Sequence, residues 1–213
     1  NFLKADFLII GSGMAGMSAA FRLSKHGKVI VLEKESMLGY HTTGRSAAFF
    51  TENYGNNIIR SITKASRYFL ENPPSCFKND QLMTQYGGSL FIANKNQSNL
   101  VDKELEYAKS VSANVFEIDK KEVMNMVPII KENYLDRALH EPDSKVMDVD
   151  LIHQGYARGL KDNDGKIIFN SEVSNISKHN NLWNVKTHNN EFTSPIIINA
   201  AGAWCDEIAI LAN

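Results

Sequence analysis

Residues 7–33, FLIIGSGMAGMSAAFRLSKHGKVIVLE, constrain this chain more than any other stretch. A short apolar run ends abruptly at Gly11, and Gly11, Gly13 and Gly16 follow in the spacing G-x-G-x-x-G. A mostly apolar, helix-compatible segment then runs to about Lys25 and is broken at His26-Gly27. A second β-rich run over 28–32 ends on Glu33. Strand, glycine turn, helix, strand and acid in this order describe a dinucleotide-binding βαβ unit. Gly11 permits the tight turn, Gly13 lets a phosphate approach the backbone, and Gly16 lets the helix lie close to the sheet. A pyrophosphate would then meet the unpaired N–H groups of the helix start. Glu33 is placed to accept hydrogen bonds from ribose hydroxyls and to repel a 2′-phosphate, which disfavours NADP.

At 213 residues and 43% hydrophobic, the chain is long enough for a sizeable core and for one or two domains. Its formal charge is −1 with both signs interspersed, so it carries no basic stripe of the kind nucleic acid selects. The two cysteines, Cys76 and Cys205, are far apart and fit neither a CxxC nor a metal spacing, so two reduced, partly buried thiols are expected. The histidines His26, His140, His153, His179 and His188 are scattered without ligand spacing and read as surface or capping residues; no metal site is expected. His41 differs because it opens a polar loop, where holding the loop and touching a cofactor are equally good readings. Met14, Met17, Met83, Met124, Met126 and Met147 read as core filling. No signal peptide is expected before the first strand, and no apolar run in the sequence reaches membrane-spanning length. A soluble, reducing, cytoplasmic setting is expected, with peripheral contact at the inner face of a membrane left open.

Beyond Glu33 the segment 39–48, GYHTTGRSAA, interposes two glycines, three hydroxyl residues and an arginine where a simple nucleotide domain would soon start another strand. Such a loop suits passage over a flat cofactor. Residues 57–70 predict an amphipathic helix with Ile58, Ile59, Ile62, Ala65 and Phe69 at near-helical spacing, closed by Pro73-Pro74. Short strands at 82–84 and 89–93 around Gly87-Gly88 predict a hairpin. A polar helix over 98–110 is expected, with Ser98 as cap and Leu100, Leu105 and Ala108 as anchors. A strand edge over 115–118, a short helix over 119–126, and a strand of a mixed sheet over 134–140 follow. Residues 142–149 read as a connector, 150–163 as a helix, and 166–169, 171–176, 183–187 and 196–198 as strands. The small residues after the last of these, NAAGAW, again suggest close backbone approach to a ligand, and 205–211 starts a helix.

Three separated segments carry a resemblance: GSGMAG with Glu33, YHTTGRSAAFFTENYG, and NAAGAWCDEIA. Together they resemble FAD-dependent amine oxidoreductases of the D-amino-acid oxidase superfamily. The GRSAA loop, the NPP turn and the HQGYARG helix are most similar to bacterial D-arginine dehydrogenases. The resemblance implies an α/β chain: a glutathione-reductase-like FAD-binding Rossmann domain with part of a mixed-sheet substrate domain. It implies residues 1–80 as the first part of the FAD-binding domain, 81–145 as the first part of the substrate domain and 146–213 as the FAD-binding domain continued. It also implies a longer polypeptide, whose remaining C-terminal part completes the substrate domain.

Carried over residue by residue, the resemblance implies that Gly11, Gly13 and Gly16 hold the pyrophosphate and Glu33 the ribose. His41 opens the loop whose Thr42, Thr43, Arg45, Ser46 and Ala47 line the flavin. Val173 contacts adenine through its backbone, and Ala200, Ala201, Gly202 and Trp204 close over the other side. Thr51 is expected near the flavin N5 edge and Tyr54 on a mobile loop at the substrate entrance. Two positions depart from the D-arginine enzymes: Phe49 replaces a histidine, and Gly88 replaces a glutamate that pairs with the cationic side chain. Arginine specificity is therefore not carried over, and apolar side chains are favoured. The implied activity is oxidation of the CH–NH2 group of D-amino acids by hydride transfer to flavin N5, giving an imino acid and then a 2-oxo acid and ammonia. A dehydrogenase with a quinone-type acceptor is expected by resemblance alone. The competing readings are a flavoenzyme for a secondary amine or a 2-hydroxy acid, and a nucleotide-binding module without redox chemistry.

Overall fold

The computed structural model describes residues 2–78, 81–111 and 113–212. In chain order, β1 (Phe2–Lys4), β2 (Phe7–Ile10), α1 (Met14–Leu23), β3 (Val29–Leu32), β4 (Ala48–Phe50) and α2 (Asn57–Glu71) come first. They are followed by β5 (Met83–Thr84), β6 (Ser89–Ala93), α3 (Ser98–Ser110), β7 (Phe116–Ile118), α4 (Lys120–Met126), β8 (Arg137–Glu141) and β9 (Lys145–Met147). The chain closes with α5 (Val149–Asp162), β10 (Lys166–Ile168), β11 (Val173–His179), β12 (Leu182–Thr187), β13 (Glu191–Ser194), β14 (Ile196–Asn199) and α6 (Cys205–Leu211). Two compact units result. The first comprises Asn1–Ser46, Pro73–Asp80 and Val149–Asn213, and the second comprises Ala47–Asn72 and Gln81–Asp148. The segment expected as 1–80 is thus shared between the units, because β4 pairs with β9 of the second; its end at Asp80 lies outside the described residues. Among the described residues no helix is long and apolar enough to cross a membrane.

The first unit is built in layers. Strands β10-β3-β2-β14 form a parallel sheet in that order. Successive side chains of a strand point to opposite faces, and here both faces are covered, so β2 and β3 read as unbroken apolar runs. Ile9, Val29 and Val31 pack on Met17 and Ala20 of α1 and Ala157 and Leu160 of α5. Leu8, Ile10, Ile30 and Leu32 face Val173, Ile176, Val185 and Phe192 of a second, mixed sheet of order β1-β13-β12-β11. Burying a side chain such as Phe192, which has no exposed surface, contributes roughly 1.5–3 kcal/mol. Phe21, Phe77 and Tyr156 form a cluster of tilted and edge-on rings, and burial pushes the Tyr156 hydroxyl above its usual pKa. Both cysteines are free and half-buried; burial, then Asp162, pushes the Cys76 thiol up.

The second unit contains two three-stranded sheets, β4-β9-β5 and β6-β8-β7, with antiparallel pairings. Several expectations are corrected here. The runs around Gly87-Gly88 do not form a hairpin: β5 pairs with β9 and β6 with β8. The 142–149 connector contains β9, which becomes a strand only through its partners β4 and β5. The strand expected over 134–140 runs Arg137–Glu141. In α3, Ser98 is the first helical residue rather than the cap, while Leu100 is half exposed and Val101 is the buried anchor beside Ala108. Met126 is exposed rather than core filling.

The largest difference concerns α2. Its length matches the expected helix, and Asn56 caps it by accepting from the N–H groups of Ile58 and Ile59 at 3.1 Å. Its apolar stripe, however, faces outward: Ile58, Ile59 and Ile62 are 70%, 47% and 58% exposed. The side turned inward carries Arg60 and Leu70. Periodicity reports that a helix has two faces and leaves open which one is covered.

Candidate cofactor site

The glycine turn opens a cavity of about 480 Å3 in the first unit, lined from β2, β3, the 39–43 loop, the start of β11 and the turn after β14. Gly11 has φ +103, and a Cβ there would lie 2.3 Å from the Ala200 carbonyl oxygen. Gly16 lies behind the cavity: a Cβ on it would meet the Gly11 carbonyl oxygen at 2.0 Å. These two positions therefore set how closely α1 and the 200–201 turn approach the strand ends. Gly13 lines the cavity as the N-terminal flank of α1.

The donors at the helix start are partly claimed by the protein. Ser12 gives its N–H to Glu33 Oε2 at 2.9 Å and its hydroxyl to the same oxygen at 2.5 Å. Met14 N–H donates to Thr43 Oγ1 at 3.0 Å. Among the described residues, the N–H groups of Gly13, Ala15 and Gly16 have no protein acceptor, and of these Gly13 and Ala15 line the cavity, which leaves two donors of the helix N-terminus there for an anion. Glu33 is 9% exposed, and its other oxygen accepts from the N–H of Glu35.

The cavity wall is aromatic and charged. Lys34 Nζ sits 3.5 Å from the centre of the Trp204 ring. The Trp204 and His41 rings lie 4.6 Å apart, and His41 Nε2 is 2.8 Å from Glu35 Oε1. His41 thus both anchors its loop and lines the cavity. Of the cofactor residues named from the sequence, Gly11, Gly13, Glu33, His41, Thr42, Thr43, Val173, Ala200, Ala201, Gly202 and Trp204 come together here. Arg45 and Ser46 do not line the cavity; Arg45 is exposed near the Tyr40 ring, and Ala47 begins the second unit.

Two features escaped the sequence. Lys34, next to the ribose acid, was not singled out from the sequence, and it forms part of the wall. His153 is not a surface histidine: it is 2% exposed on α5, and its Nε2 lies 2.7 Å from the Ser12 carbonyl oxygen. A carbonyl only accepts, so that nitrogen carries the proton and the imidazole braces the glycine turn from beneath. A lone histidine on an amphipathic helix offers no signal for such a contact.

The residues named for the reacting end, Phe49, Thr51, Tyr54 and Gly88, all belong to the second unit. Phe49 is 56% exposed on β4 and Tyr54 is 68% exposed. Thr51 Oγ1 donates to Glu141 Oε2 at 2.7 Å, and the same buried carboxylate accepts from the N–H of Glu52 at 2.9 Å. Gly88 has φ +85, and a Cβ there would lie 2.3 Å from the Glu141 carbonyl oxygen. No side chain fits at 88 without moving the backbone, so its lack of a carboxylate is built into the β6–β8 pairing.

Comparison with known proteins agrees with this geometry. Monomeric sarcosine oxidase of Bacillus sp. (strain B-0618) is 24% identical over 98% of this chain and 54% of its own length. L-2-hydroxyglutarate dehydrogenase of Indibacter alkaliphilus is 21% identical over 95% of this chain and 51% of its own. The chain therefore spans about half the length of these curated relatives. The crystal structure of glycine oxidase from Geobacillus kaustophilus superposes with a TM-score of 0.86 at 16% identity, covering 98% of this chain and 58% of that one, a likeness of fold. Residues 6–212 match the FAD dependent oxidoreductase (DAO) family, and the chain, an α/β protein with the glutathione-reductase-like FAD-binding fold, belongs to that family and uses FAD as its cofactor.

Proposed function

We propose that the full-length protein is an amine oxidoreductase that acts on the CH–NH2 carbon of small amino acids, D-configured α-amino acids with apolar side chains foremost. The observation that carries this reading is the cavity itself. Its two free helix-start donors suit a pyrophosphate, Glu33 suits a ribose, and the turn at 200–204 supplies a second close backbone wall. In this reading the first unit is the FAD-binding region and the second begins the substrate region. Gly11 and Gly13 admit the phosphates, Glu33 exchanges its Ser12 contacts for ribose hydroxyls, and Val173 borders the adenine. Thr42, Thr43 and His41 lie along the remainder, with Ala200, Ala201, Gly202 and Trp204 opposite, while Arg45, Ser46 and Ala47 continue the same loop beyond the cavity. Bound FAD supplies the hydride acceptor for the substrate carbon.

On the substrate side, Phe49 offers apolar surface, Thr51 offers a hydroxyl oriented by Glu141, and Tyr54 stands at the entrance. The backbone constraint at Gly88 supports a pocket without a carboxylate for a cationic side chain. A missing partner for a buried charge costs several kcal/mol, about 3–5 when one side of a pair is removed. The likeness to L-2-hydroxyglutarate dehydrogenase favours a second reading, oxidation of a 2-hydroxy acid, in which the same carbon loses its hydride with oxygen in place of nitrogen. The two are separated by kcat/KM of the FAD-loaded full-length protein on D-phenylalanine, D-methionine, D-leucine, D-arginine, sarcosine and L-2-hydroxyglutarate. The apolar D-amino acids are expected to lead. Preference for L-2-hydroxyglutarate would establish the second reading, and preference for sarcosine would move the substrate to secondary amines.

A further inference from the structure

Among the described residues, the segment between Thr51 and Asn56 is tied down at every position except one. Thr51 Oγ1 and the Glu52 N–H both bind the Glu141 carboxylate, at 2.7 and 2.9 Å. Glu52 also pairs with Arg67 at 2.7 Å. Asn53 is 5% exposed and contacts both Glu104 and Arg60. The Gly55 carbonyl accepts from Arg60 Nε at 2.6 Å, and Asn56 caps α2. Tyr54, the remaining residue, is 68% exposed.

Arg60 is the centre of this arrangement. With Leu70 it lies on the inward side of α2, and its side chain is 10% exposed. Its guanidinium meets Glu104 at 2.8 Å, reaches the residues on both sides of Tyr54, and lies 3.7 Å from the centre of the Tyr107 ring. A planar, five-donor group suits this task, because one side chain satisfies acceptors lying in different directions. We propose that Arg60 is a positioning residue that holds Tyr54 outward as a fixed element of the substrate entrance, so that the entrance is preset rather than closed by a mobile loop. The proposal rests on the amine-oxidoreductase reading for Tyr54's task and not for the pinning itself. A preset entrance acts on substrate binding equally before and at the reaction, so its loss raises KM more than it lowers kcat.

The test uses the FAD-loaded full-length protein as wild type, Arg60→Met, Arg60→Lys and Glu104→Gln, with amide hydrogen exchange and steady-state kinetics. In Arg60→Met, exchange over 51–56 is expected to quicken about tenfold or more while β2 and β3 stay protected, and KM is expected to rise about tenfold with kcat within about threefold. Arg60→Lys keeps the charge without the fork and should fall between the two; Glu104→Gln should show the same pattern more weakly. Should Arg60→Met fail to fold, the half-exposed Glu104 site decides through its own variant. Unchanged exchange over 51–56 in a folded variant overturns the pinning, and faster exchange with KM unchanged overturns the role at the entrance. If the wild-type protein oxidises none of the amines, the functional reading fails, and the exchange data still decide whether Arg60 pins the segment.

Discussion

The two units of this chain are stabilised by different physics. In the first, two sheets and two helices enclose side chains with no exposed surface, among them Leu8, Ile9, Val31, Leu160 and Phe192. In the second, the described apolar clusters are smaller, one around Ala93, Val101 and Leu139 and one around Val123, Leu135 and Ala138, beside further buried side chains such as Phe50, Leu82 and Met83. There the polar network is extensive. Arg60 binds Glu104, Arg67 joins Glu52 and Glu71, Lys145 joins Glu71, and Glu141 is buried on Thr51 and Glu52. Hydrophobic layers are insensitive to register errors of single polar atoms, whereas a buried carboxylate or guanidinium demands each of its partners. The first unit is thus held chiefly by apolar packing, while in the second directional polar bonds have a larger share.

Replacement of Gly16 by valine should damage the first unit most severely. Its Cβ would lie 2.0 Å from the Gly11 carbonyl oxygen, which is backbone and cannot swing aside. Overpacking of this kind costs about 1–3 kcal/mol, and more where backbone must move. FAD affinity, followed by flavin fluorescence on reconstitution, is expected to be lost even where far-UV circular dichroism shows a folded chain.

Phe192→Ala should follow. Removing a fully buried phenylalanine costs about 3–5 kcal/mol, visible as a lower urea midpoint with little change in slope. An equal effect from Ile62→Ala, on the exposed face of α2, would contradict the contrast drawn between the units.

Thr51→Val keeps the shape of the side chain and removes one of the donors to Glu141. Leaving that buried carboxylate short of a partner should cost about 1–3 kcal/mol by urea titration. No measurable loss would mean that the polar network of the second unit is not what holds it.

The smallest effect concerns acid stability. Hydrogen bonding from Lys145, with Arg67 adding to it, holds the Glu71 carboxyl below its usual pKa of 4.5. A carboxyl lowered in the folded state contributes stability that is present above pH 4.5 and is lost as the pH falls through the folded value. Glu71 is about a third exposed, so solvent screening reduces this to the range of surface pairs, about 0.2–1 kcal/mol. Glu71→Gln should therefore lower stability slightly at neutral pH and flatten the acid limb of the curve. The same flattening is expected in wild type at high salt. An unchanged acid limb in the variant would remove Glu71 from the network.

Much of the first unit was legible in the sequence. The strand–glycine turn–helix–strand–acid order appears where it was expected, as do the second small-residue turn after β14 and the helix that follows it. These features are local: allowed φ values, capping and alternation act within a few residues of each other. The second unit was legible in its helices and less so in its pairings. α2 and α4 lie where they were expected, and in the structure Asp119 and Glu122 form a capping box on α4. The hairpin at Gly87-Gly88 and the connector at 142–149 were misread because strands as short as β5 and β9, of two and three residues, carry little pattern of their own.

The dinucleotide turn, its acid and the loop that follows are written into residues 7–48, since steric limits at glycine and the unbroken apolar runs of strands buried on both faces leave few alternatives. Only the tertiary structure decided that His153 braces Ser12, that Arg60 and not the isoleucines faces inward on α2, and that Gly88 has no room for a side chain. Each of these depends on which distant segments arrive beside it: Ser12 is 141 positions from His153, and Arg60 is 44 from Glu104. A pattern of neighbours along the chain says that a face is apolar or a residue polar, and the partner that gives it meaning is chosen by packing.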